Sequence, residues 1–81
     1  MNTRWQKPVL IAFETPGDYT SIETTQAASW ALIEDWPVED GEALDKALLV
    51  CAAVDAGRKK PEDARKAFIA AAIEAGLDIK A

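Results

Sequence analysis

Along residues 7–13 apolar side chains fall on both sides of an extended chain, Val9, Ile11 and Phe13 on one and Pro8, Leu10 and Ala12 on the other. A period of two with β-branched content predicts a strand there, apolar on both faces. Pro16-Gly17 follows, a fixed φ and then a residue that tolerates positive φ, which suits a type II turn. Residues 18–20 are expected to return as a short second strand, and the resulting β-hairpin is marginal by itself.

The period then lengthens. Ser21 is placed to cap a helix over residues 22–35, with Glu23 near the positive end of its dipole. Ala28, Leu32 and Trp36 share one stripe with Ala31 beside it, while Glu23, Gln26, Glu34 and Asp35 leave polar surface elsewhere. Pro37 disfavours helical geometry at Trp36 and ends the element. A second helix is predicted over residues 42–56, where Leu44, Ala47, Leu48, Cys51 and Val54 recur at spacings of three and four. Leu49, Val50, Ala52 and Ala53 make it apolar around much of its circumference, the pattern of the most buried helix in a fold. Gly57 stops it.

Pro61 suits the first turn of a third helix, expected to reach residue 75 with Gly76 as its stop, and Glu62 and Asp63 favour its positive end. Ala64, Phe68 and Ala72 form its packing row, with Ile69, Ala71 and Ile73 nearby. Leu77 and Ile79 alternate with Asp78 and Lys80, a pattern compatible with a short C-terminal strand beside the hairpin. The whole is a single α+β domain over residues 1–81: an N-terminal β-hairpin followed by three α-helices packed on a small antiparallel sheet.

Composition narrows the class. With 49% hydrophobic and 28% charged residues the chain is a folded domain and far from the profile of disorder. No apolar run is long enough to cross a bilayer, the stretch after Arg4 and Lys7 is too short for a signal peptide, and one cysteine forms no internal disulfide. A cytoplasmic protein without membrane association is expected. The net charge of −5 opposes nucleic-acid binding in general. That charge is unevenly placed, with Glu34, Asp35, Glu39, Asp40, Glu42 and Asp45 in one stretch and Arg58, Lys59, Lys60, Arg65 and Lys66 in another.

Chemistry is scarce. There is no histidine, Cys51 is the single cysteine, and Ser21 and Ser29 are the two serines. Cys51 lies mid-helix among apolar residues, where a thiol behaves as a small hydrophobe. One cysteine without histidine makes no zinc site. An EF-hand loop with Gly41 at its sixth position would start on Trp36 and place Val38 third, and neither ligates. The carboxylate pairs Glu39–Asp40 and Glu62–Asp63 sit at a loop and a helix start, where solvation and capping explain them. No phosphate-binding glycine loop is present. No catalytic, metal or cofactor residue is assigned, no cofactor is expected, and an enzyme is not.

What remains is surface. Trp36 is expected in the core. Trp30, off the apolar stripe, and Trp5, ahead of the first strand, suit either interface anchoring or peripheral packing. The expected function is a small non-enzymatic protein-interaction or regulatory module, with an unidentified protein partner and with homodimerisation through Trp5, Trp30 and a sheet edge. The basic stretch can meet the acidic stretch of another copy. The alternative is an accessory nucleic-acid-binding regulator using Arg58, Lys59, Lys60, Arg65 and Lys66.

The order and spacing of several residues resemble a family of small bacterial proteins, mostly rhizobial, numbered 982 among domains of unknown function. The resemblance rests on Pro8-Val9, Ser21-Ile22-Glu23, Trp36-Pro37, Gly41, Cys51 and Gly57. It is densest in Ala64-Arg65-Lys66-Ala67-Phe68-Ile69 and Ala71-Ala72-Ile73-Glu74-Ala75-Gly76. Lys60, in place of a serine-like cap, and Tyr19, in place of a more basic strand residue, depart from the pattern. The resemblance implies a fold and brings no activity or site residues with it.

Overall fold

A computed structural model describes residues 4–81. Strand β1 (Arg4–Ala12) is the centre of a three-stranded antiparallel sheet, flanked by β2 (Thr20–Thr24) and β3 (Asp78–Lys80) in the order β2-β1-β3. Three helices follow β2: α1 (Thr25–Trp30), continued by a π-helical turn at Ala31–Asp35, then α2 (Glu42–Asp55) and α3 (Pro61–Glu74). The α+β hairpin-plus-helices architecture and the C-terminal strand agree with the sequence pattern.

The first half of the chain departs from it locally. Residues 20–24 extend as β2, where a helix was expected from residue 22, because Ile22 pairs with Val9 and buries its side chain against the sheet's inner face. Thr24 therefore replaces Ser21 as the cap, its hydroxyl accepting from Ala27 N–H at 3.0 Å. Glu23 lies on the strand and pairs with Arg4 at 2.8 Å. The helix ends where Pro37 requires, with Trp36 already extended.

Strand β1 starts three residues earlier than its apolar alternation suggests, and between Arg4 and Val9 its register with β2 shifts by a bulge. Pro8, which has no N–H to offer a ladder, sits in it. The bulge leaves the Lys7 carbonyl to accept from Arg65 Nε at 2.9 Å. Trp5, in phase with the buried Val9 and Ile11, faces inward. That ring is 5% exposed and its indole N–H donates to Thr25 Oγ1 at 3.1 Å. Trp5 is thus a core residue and no interface anchor.

One aromatic chain runs through the interior. Trp5 lies 6.0 Å from Phe68, Phe68 lies 5.4 Å from Trp36, and Trp36 lies 6.1 Å from Phe13, all tilted or edge-on, the geometry ring quadrupoles favour. Trp36, expected in the core, packs against it from the margin and is half-buried. Helix α2 is not the most buried one, because its surplus apolar residues face outward, Leu49 at 72% exposure. Helix α3 is seated deeper, with Ala64, Phe68, Ala71 and Ala72 fully covered.

Two non-local contacts close the fold. The Glu74 carboxylate, at the end of α3, accepts from the N–H groups of Ala43 and Leu44 at 3.0 and 3.2 Å and so caps α2 from outside. Tyr19 donates to Asp78 Oδ2 at 2.6 Å while Lys80 Nζ lies 4.9 Å from its ring centre, tying the start of β2 to β3. At Lys60 no side chain caps the helix; the Asp63 carboxylate instead accepts from Lys60 N–H at 3.1 Å, the reciprocal half of a capping box.

Candidate groove between the second and third helices

Alanine spacing decides where the helical surface opens. The five-residue turn between α2 and α3 folds them into a hairpin, and along one flank of it the facing positions are Ala43, Val50, Ala67 and Ala70. Short side chains leave a hollow of about 290 Å³ there. Lys46 from α2, Lys59 from the turn and Lys66 from α3 stand around it. All three are exposed, and among the described residues none takes part in an ion pair. The acid at the rim, Asp63, is held by the Lys60 N–H. The result is an apolar floor under three unpaired cations.

The residues singled out from the sequence divide. Lys59 and Lys66 belong to this groove. Lys60 lies on a different hollow, beside Arg4, Gln6 and Pro61. Arg58 is exposed in the turn. Arg65 is withdrawn, its side chain 12% exposed with its guanidinium on the Lys7 carbonyl and 3.9 Å from Glu62. The basic stretch is therefore not one patch, because α3 turns Arg65 to the sheet and Lys66 to the groove. Lys46 escaped notice for lack of a basic neighbour in sequence, although it sits on the flank of α2 that carries Ala43 and Val50.

Trp30 is 57% exposed and Ile33, three residues on, 68% exposed, so an apolar face also stands on the α1 side. The acids collect elsewhere. Glu34 and Asp35 meet Glu14 and Asp18 around a hollow of about 410 Å³, and Glu39 and Asp40 are exposed in the loop leading to α2. Among the described residues no three or more such side chains are placed to hold a metal ion together, and no helix among them is long and apolar enough to cross a membrane.

Cys51 is 1% exposed. Burial pushes its thiol pKa up, opposed by hydrogen bonding to Ser29 and reinforced by the charge of Asp55. A thiol raised in the folded state favours folding below its unfolded pKa, and that contribution is lost as the pH rises through the folded value. Tyr19, raised by its hydrogen bond to Asp78, acts in the same direction. Resistance to urea is therefore expected to decline at alkaline pH, and the native thiol is expected to react with an aromatic disulfide reagent far more slowly than in urea. Equal rates would contradict the buried placement.

Residues 7–79 match the family described as "Protein of unknown function (DUF982)", and the chain belongs to it. No curated protein matches the chain, nor does any solved structure.

Proposed function

We propose that this member of a family without an assigned role is a small non-enzymatic interaction module, which holds an acidic segment of a protein partner in the groove between α2 and α3. One observation carries the proposal: Lys46, Lys59 and Lys66 converge on an apolar floor with no carboxylate paired to them. Exposed lysines on a surface of otherwise acidic balance attract a counter-charge, and a ring of them fixes where it docks. The alanine floor gives an apolar side chain between two acids a place to rest. The nucleic-acid alternative is weakened by the withdrawal of Arg65 and by the lack of an aromatic residue in the groove on which a base would stack. We place the module in the cytoplasm, where the lone Cys51 stays reduced.

Titration calorimetry with a synthetic oligo-glutamate peptide tests this. The native protein is expected to bind it, salt is expected to weaken the binding, and Lys46→Glu with Lys66→Glu is expected to weaken it by about tenfold or more. Equal affinity in the double variant, or tighter binding of a single-stranded oligonucleotide, would overturn the proposal.

A further inference from the structure

We infer that the acidic segment received by the groove is that of a second copy of this chain, the loop carrying Glu39 and Asp40, in a closed two-fold dimer. The inference rests on the groove proposed above and adds its occupant.

Charge complementarity is the argument. The lysines of the groove and the acids of the loop are exposed, and among the described residues both sets are without ion-pair partners. One molecule thus presents both halves of a contact, and neither half is ion-paired within it. Topology makes the contact self-complementary. The acidic loop enters at the N-terminal end of α2, beside the Lys46 end of its own groove, whereas Lys59 marks the opposite end, at the turn into α3. A two-fold axis across the groove reverses the partner's α2 and brings each loop to the Lys59 and Lys66 end of the other copy. Each contact occurs twice and the assembly closes, as an isologous interface requires. Glu42 is less suited to the role, since it belongs to the first turn of α2, where its charge favours the helix dipole.

The test uses two reversed variants of the full chain. The first carries Lys59→Glu and Lys66→Glu, and the second Glu39→Lys and Asp40→Lys. All four positions are exposed, and circular dichroism verifies that each variant is folded. In sedimentation equilibrium the native protein is expected to dimerise at low salt and dissociate at high salt, with no larger species. Each variant alone is expected to be monomeric, since its loop and groove then carry like charge. An equimolar mixture of the two is expected to recover the dimer, because every contact in the mixed pair is again between opposite charges.

A mixture that stays monomeric overturns the inference, as does a native dimer that resists both salt and charge reversal. Binding of the oligo-glutamate peptide by a native protein that is monomeric at all concentrations overturns the second copy as occupant and leaves the groove standing. Absence of both the dimer and peptide binding overturns the two together.

Discussion

Phe68→Ala is expected to remove most of the stability of this protein. The ring is fully buried and lies between Trp5 and Trp36, so its loss opens a cavity between two tryptophan rings, one in the core and one at its margin. Truncating a buried phenylalanine costs about 3–5 kcal/mol, and edge-on aromatic contacts add about 0.5–1.5 kcal/mol each beyond buried area. A domain of 81 residues has on the order of 4–12 kcal/mol in total. Urea unfolding followed by circular dichroism is expected to show a much lower midpoint with little change in slope. Tryptophan emission is expected to move to the red at lower urea than in the native protein, since Trp5 and Trp36 lose their shared neighbour. A midpoint within the error of the native one would mean that the aromatic chain is not the centre of the core.

Gly41→Ala is the second. Gly41 has φ +153°, a region that side chains rarely enter, and a Cβ built there would collide with Glu74 Oε1. Two losses follow from one methyl group. Backbone strain costs about 1–3 kcal/mol, and moving the Glu74 carboxylate strips the cap from Ala43 and Leu44, worth about 0.5–2 kcal/mol. Glu74→Ala removes the cap alone and is expected to be milder. In the double variant the cap is lost once and no carboxylate opposes the new methyl group, so the combined cost is expected to fall below the sum of the two single costs. Strict additivity would show that Gly41 is required for its φ alone and that Glu74 is indifferent to it.

The same contacts explain how far the sequence could be read. Helices α2 and α3 are legible almost to the residue, because their starts and stops are local: Pro61 at a first turn, Gly57 and Gly76 after last turns, and apolar rows at three and four. The end of the first helical segment is legible for the same reason, in Trp36-Pro37. Its beginning is not. Ser21-Ile22-Glu23 suits a capped helix and an edge strand equally, and the pairing of Ile22 with Val9, across the hairpin, decides for the strand. Trp5 misleads because the apolar alternation is visible only from Pro8-Val9 onward, whereas the strand runs back to Arg4 and puts Trp5 in phase with the buried Val9 and Ile11.

The site was half legible. Lys59 and Lys66 stand out in a basic run, but that run hides that Arg65 serves β1, 58 residues away in sequence. Lys46 joins the other lysines only when the hairpin of α2 and α3 forms. Glu74 looks like a solvated carboxylate on the last turn of a helix, and its work is 31 residues upstream, at Ala43. Capping residues found in sequence are those within a turn of the helix they cap, and this one is supplied by another helix.

The measurement that bears most directly on the groove is a backbone amide shift map of the isotope-labelled protein titrated with the oligo-glutamate peptide. Progressive shifts centred on Ala43, Lys46, Lys59, Lys66, Ala67 and Ala70 are predicted, with Trp30 and Ile33 unmoved. Shifts centred on Trp30 and Ile33, or none at all, would contradict the account.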